Sequence, residues 1–242
     1  MAASRTREAL LEQGALLLAR HGVNRVTARQ LHEAVGARNE SALHYHFGSI
    51  DGLVQAIIRL HVEEVEARRV PVVAELEAGD RTGDVRALVH ALAEPMSRDL
   101  ATPVGRAHLR LVAQLNHPAL AYEPPFRVAE APSGTAVVRW LWHALDALPD
   151  VIRRERLALL RAQLIGAFGQ RAQLHDEQGD PPAVGDDLFV ANLVDVTEAG
   201  LVAEPSAATL EVLGSAGAGS GSPAVPAPGG DASATRSRPT RR

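Results

Sequence analysis

The sequence predicts an all-α protein, and three observations carry that expectation. Apolar residues recur at three- and four-residue spacing through most of the first 203 positions, the period of one helix face. No run of alternating β-branched and aromatic residues lies between turn clusters, so strand signals are missing. Cap residues, prolines and glycines stand where the periodic segments begin and end.

Each element follows from those signals. A first helix is expected from Ser4 to His21, where Leu10, Leu11, Gly14, Ala15, Leu17 and Leu18 share a face and Gly22 supplies a left-handed stop. Thr27 is a natural N-cap for a short helix through Ala34 that turns Leu31 and Ala34 inward, and Gly36 makes the next turn. A third short helix runs from about Asn39 to Phe47 and stops at Gly48. Ser49 caps the fourth, with Asp51 favourable in its first turn, and that helix continues past Val65. Further helices are expected near Val85 to Asp99 and from Thr102-Pro103 to just before Asn116, the second opened by a cap and a proline at its first position. Four prolines between His117 and Gly134 predict an irregular loop with at most one helical turn. Helices follow over Thr135 to Ala147, Val151 to Gln178 and Asp186 to Val202, the last two parted by Gly179-Asp180-Pro181-Pro182. Beyond Pro205 the chain turns to Gly, Ala, Ser and Pro with one short apolar patch, too little to offset the entropy of ordering, so 204–242 is expected to be disordered.

Composition limits the function. With 46% hydrophobic and 22% charged residues, the 242-residue chain can bury a core as one large domain or two small ones. It has no cysteine, which rules out disulfides and thiolate chemistry and suits a cytoplasmic protein. No signal-peptide pattern opens it, and no apolar run reaches the roughly 20 residues that a membrane span requires, so no membrane partner is expected. The net charge of −4 argues against a blanket of positive charge, and all 25 cationic side chains are Arg. Residues 1–47 nevertheless carry Arg5, Arg7, Arg20, Arg25, Arg29 and Arg38 against Glu8, Glu12, Glu33 and Glu40. No paired carboxylates, nucleophile-base set or Gly-rich phosphate loop stands out, so no catalytic residue and no cofactor is expected.

The informative stretch is ARNESALHYHF, residues 37–47. Two short helices joined at a glycine, with a third in front, form the helix-turn-helix arrangement. At roughly 100° per residue, Leu43 and Phe47 share an inner face, while Arg38, Ser41 and Tyr45 project opposite with Ala42 and His44 on the flanks. Such a helix can reach base edges and phosphates in a major groove. Thr27 and the first amides of the second helix can hold a phosphate. His44 and His46 invite a metal reading, but on a helix their rings diverge by about 200° and no Cys or nearby carboxylate completes a set. They are expected to be groove-edge groups or solvated. With Arg29, Asn39 and His46 added, these residues make up the candidate DNA surface.

The longer stretch LLEQGALLLARHGVNRVTARQLHEAVGARNESALHYHFGSIDGL, residues 10–53, resembles the N-terminal domain of TetR-family transcriptional regulators. The shared pattern is a first helix ending in glycine (Gly22), Thr opening the second helix (Thr27), a buried aliphatic (Leu31), a glycine turn (Gly36) and a Leu-Tyr-x-Tyr-Phe run followed by Ser-Lys-Glu-x-Leu. Here the run is Leu43-His44-Tyr45-His46-Phe47 and the segment Ser49-Ile50-Asp51-Gly52-Leu53. Both family tyrosines are thus histidine, the lysine is Ile50, and the turn before Leu43 is one residue longer than usual. The resemblance implies a dimer built on the last two long helices. The apolar stripes Leu157, Leu160, Leu164, Phe168 and Phe189, Leu193, Val196, Gly200 suit a symmetric four-helix interface.

The expected architecture is therefore all-α: an N-terminal three-helix helix-turn-helix DNA-binding domain (1–48), a larger C-terminal helical ligand-binding and dimerisation domain (49–203) and the tail. The expected function is a ligand-responsive regulator, a repressor that binds palindromic double-stranded DNA as a homodimer. A small, largely hydrophobic effector with one acidic or polar group is the second partner, with Arg110, Gln114, Trp140, His143 and Phe168 as candidate contacts. Trp and Phe at helical spacing are also plain core residues, and Arg110 with Gln114 fits a domain interface as well as a cavity. The competing class is an all-α ligand-binding or enzymatic protein that has lost operator binding.

Overall fold

The computed structural model describes residues 2–36, 41–116, 131–177 and 184–219, and every regular element among them is helical. In chain order these are α1 (Ala2–His21), α2 (Ala28–Ala34), α3 (Ala42–Phe47), α4 (Ile50–Ala78), α5 (Val85–Ser97), a 3-10 turn (Arg98–Ala101), α6 (Pro103–Leu115), α7 (Pro132–Ala144), α8 (Asp150–Glu177), α9 (Asp186–Val202) and α10 (Ala207–Gly219). None of them is long and apolar enough to cross a membrane. Residues 1–202 form one compact unit and 203–242 a second.

The local signals place most of the ends. Ser49 accepts a hydrogen bond from the Gly52 amide and Thr102 from the Gly105 amide, so both cap the helices that follow them. Gly22 and Gly36 adopt the positive φ that their turns require, 90° and 60°. Of the loop expected over 117–134, residues 117–130 lie outside the described residues, as does the 179–182 break. Residues 132–134 are helical instead, because α7 opens at Pro132 rather than Thr135. The reason is a buried carboxylate: Glu66 of α4 accepts from the Ser133 and Gly134 amides and so caps α7 from another helix. In the second unit the tail expected to be disordered opens with α10. Ser206 accepts from the Thr209 amide at 3.2 Å and so caps the helix, whose first half holds Ala207, Ala208, Leu210, Glu211 and Leu213, all good helix formers. Leu210 and Val212 are exposed. Residues 220–242 lie outside the described residues.

Two apolar cores occupy the first unit. One gathers Leu10, Leu18, Leu31, Leu43, Leu53, Ile57 and Leu111, so α1, α2 and α3 close over the first half of α4 and one side of α6. The other contains Leu88, Leu109, Val137, Leu141, Leu164, Phe168 and Leu193, from α5 to α9. The boundary expected at 48 is a turn at Gly48, where α3 stops, and α4 runs through both cores.

Helix α6 lies between α1 and α8, and its fit to α8 is close. A Cβ on Gly169 would stand 2.4 Å from the Ala113 methyl, so only glycine lets the two backbones approach this far. Gly169→Val should force them apart and lower stability by about 1–3 kcal/mol, read as an earlier urea midpoint. Adding Ala113→Gly should recover part of the loss. A Gly169→Val chain as stable as wild type would mean that the contact is looser than this.

Candidate nucleic-acid interface

Helix α2 begins with a complete capping box. The Thr27 hydroxyl accepts from the Gln30 amide at 3.3 Å, and the Gln30 side-chain oxygen accepts from the Thr27 amide at 2.8 Å. The Thr27 hydroxyl also donates to that oxygen at 2.9 Å, so it is engaged within the cap. Arg29 is exposed and bridges to Glu33 one turn on at 2.8 Å, a pair that raises its pKa and that a phosphate can replace.

Helix α3 follows at Ser41, which is exposed and whose side chain does not cap it. Arg38 and Asn39 lie outside the described residues. Leu43 turns into the first core, whereas Phe47 is half-buried with the Arg7 guanidinium 5.6 Å from its ring centre. Ala42 and His46 are half-buried as well, and His46 meets the Tyr45 ring edge-on at 4.9 Å. The outward side chains on α3 itself are therefore His44 and Tyr45, with Tyr45 80% exposed.

His44 has a defined tautomer. Its Nδ1 lies 2.7 Å from the Gly48 carbonyl oxygen, which can only accept, so Nδ1 carries the proton. In the neutral ring Nε2 is then an acceptor. Exposed on a helix, such an acceptor can take a hydrogen bond from a base amino group, and Tyr45 beside it both donates and accepts.

The five ligand candidates are not gathered at one site. Arg110 and Gln114 both donate to the Ala19 carbonyl in the last turn of α1, at 3.2 and 2.8 Å, and Arg110 also bridges to Asp176 of α8 at 2.8 Å. They form an interface between helices. Trp140 is half-buried against the second core, His143 is exposed, and Phe168 is wholly buried against Phe189, their ring centres 5.4 Å apart.

The α8 stripe chosen as a dimer face is also placed differently. Leu160, Leu164 and Phe168 point into the chain's own core, Leu157 packs against it, and on α9 Leu193 is buried and Phe189 half-buried. Only Val196 and Gly200 of that set are exposed. The helices run antiparallel, since Arg171 meets Asp186 and Arg156 meets the Leu201 carbonyl. Leu159, Ala162 and Gly166 of α8 are exposed, as are Leu188, Val196 and Gly200 of α9.

One cluster was not expected from the sequence. Between the two cores, Asp99 accepts from Arg68 at 2.7 Å and stands 3.3 Å from His61, whose ring centre is 5.4 Å from that of His108. Burial pushes the Asp99 carboxyl up, but His61 and Arg68 outweigh it and hold it below the usual range. A second buried pair, Arg69 with Glu66, lies on α4, and burial draws Arg69 below its ordinary value. Arg68 and Asp99 are 31 positions apart, so no sequence spacing announces the pair.

No family model matches the chain, and no curated protein matches it. Solved structures do. Two crystal structures of a gamma-butyrolactone receptor (ArpA-like protein) are similar to it at 20% and 18% identity, with TM-scores of 0.43 and 0.45. They cover 81% and 82% of this chain and 98% of each of theirs. Likeness at that level carries no functional argument, and the residues have to carry it.

The buried cluster has a measurable consequence. Burial first, then the neighbouring His61 and Arg68, lowers His108 to about 4, with Asp99 opposing. The unfolded chain, with this histidine near its ordinary 6.5, binds a proton that the folded chain refuses. Stability from this group is complete above about pH 6.5 and falls as the pH drops towards 4, by about 3 kcal/mol in all. His108→Leu should flatten that part of the stability profile in urea titrations. An unchanged slope in the variant would remove His108 as its source.

Proposed function

We propose that the chain is a DNA-binding transcriptional regulator, a repressor that reads a palindromic operator through α3 as a homodimer and releases it on binding a small molecule. The observation that carries this reading is α3 itself: Leu43 anchors it in the core while Tyr45 and His44 are held outward, with the His44 acceptor oriented by Gly48. The resemblance of residues 10–53 to the TetR family supports the same role. No residue is given a catalytic part.

A mobility-shift assay on the DNA upstream of the chain's own gene tests it. Tyr45→Ala should cost about 1–3 kcal/mol on the operator while mixed-sequence DNA, bound mainly through phosphates, changes little. Arg38→Ala belongs to the same expectation from the sequence. Failure of the wild-type chain to select any site over mixed DNA would end the reading.

The dimer we place on the outer surface of α8 and α9. That surface combines two large exposed aliphatics, Leu159 and Leu188, with the small Ala162, Gly166 and Gly200, which permit close helix approach. Leu159→Arg with Leu188→Arg should give monomers in light scattering with an unaltered helical circular dichroism spectrum, because neither side chain contributes to the folded core. A dimer that survives the double substitution would place the interface elsewhere.

A further inference from the structure

A pocket of about 510 Å³ lies where the α1–α2 turn, α6 and α8 meet. Gly22, Val23, Ala113 and Gly169 give it a small apolar floor. Its polar lining is Asn24, Arg25, Arg110, Gln114, Gln170 and Gln173, two guanidinium groups and four carboxamides with no carboxylate among them. We infer that this pocket binds a small organic anion, a carboxylate on a short apolar body, and that the anion acts as effector by taking Arg110 and Gln114 away from α1.

The chemistry follows from what the donors now hold. Arg110 and Gln114 converge on one neutral carbonyl, that of Ala19. A carboxylate is the stronger acceptor for both, since charge-assisted hydrogen bonds are roughly twice as strong as neutral ones. Arg110 can turn towards it without leaving Asp176 bare, because Arg106 donates to Asp176 independently at 2.7 Å. Arg25 has no ion pair with any described residue, so its charge is available to the ligand. A cation would find no acid among the lining groups.

The cost of that exchange falls on the reading head. Ala19 is buried, and its carbonyl belongs to the last turn of α1, where the helix supplies no internal partner. Stripped of Arg110 and Gln114, it must shift to reach water or another donor. The segment that would shift leads directly through Gly22–Arg25 to the Thr27 cap of α2. Ligand binding and a firmly held head are thus in competition, and an anion that prefers the released state must weaken operator binding by the factor with which the operator weakens anion binding.

The binding half of this inference stands alone, and its regulatory half rests on the DNA-binding reading above. The test uses the full chain and sodium hexanoate at constant ionic strength, with hexylammonium chloride as the oppositely charged control. Calorimetry should show saturable hexanoate binding, no comparable binding of hexylammonium, and at least tenfold weaker hexanoate binding in Arg25→Ala/Gln170→Leu, whose melting temperature without ligand should match wild type. Fluorescence anisotropy on the operator should show about tenfold weaker DNA binding at saturating hexanoate, and Gln114→Leu should weaken DNA binding several-fold without ligand. Absence of saturable hexanoate binding, equal binding of hexylammonium, or unchanged affinity in the double variant overturns the site. Operator binding indifferent to saturating hexanoate overturns the effector role while leaving the site. Hexanoate binding as expected in a chain that selects no DNA supports the site and removes the DNA-binding reading instead.

Discussion

The structure depends on where α6 is held. One side meets α8 at Gly169, close enough that a single methyl group would not fit, and the other holds the end of α1 through Arg110 and Gln114 on the Ala19 carbonyl. The first contact is steric and the second is directional, and both tolerate little displacement. One short helix therefore joins α8 to the end of α1. Because α1, α2 and α3 share a single core, α1 cannot move without carrying the outward face of α3 with it. Helix α6 is thus the element packed against both α1 and α8.

The polar layer between the two cores serves the same end differently. Apolar contacts fix shape, whereas hydrogen bonds add a preference for direction. At the level where the two cores meet, Arg68 of α4 donates to Asp99 of the 3-10 turn, His61 stands 3.3 Å from the same carboxylate, and His108 of α6 meets His61 through a ring contact alone. Buried charges of this type stabilise little in net terms.

Features legible in the sequence are those whose causes are local. Thr27, Ser49 and Thr102 each cap the helix expected of them, because a cap is a contact over three residues. Gly22 and Gly36 take up positive φ for the same local reason. Leu43 as an inner residue and Tyr45 as an outer one follow from the helical period alone. Contacts between distant segments were not legible: Glu66 capping α7, Asp99 meeting His61 and Arg68, and Arg110 reaching back to Ala19. The pair Arg110 and Gln114 stood out as polar residues one turn apart on an apolar helix, but their target belongs to α1. Trp140, His143 and Phe168 looked like companions only because aromatic spacing cannot tell a pocket wall from a core.

The stripes on α8 and α9 show why interface surfaces resist sequence reading. The strongest apolar pattern on α8, from Leu157 to Phe168, is the one the chain buries for itself, because folding within one chain needs no second subunit and incurs no cost of association. A surface for another subunit must be made from what remains. On α8 and α9 what remains is thinner: Leu159, Leu188 and Val196 among small residues, with charged neighbours such as Asp195, which Arg86 of α5 holds at 2.6 Å. In the proposed interface Gly166 and Gly200, where a Cβ would meet nothing within 4 Å, would leave room for close helix approach. On α8 the exposed Leu159, Ala162 and Gly166 lie on the face opposite the buried stripe of Leu160, Leu164 and Phe168, and that is the face the proposed partner would have to meet.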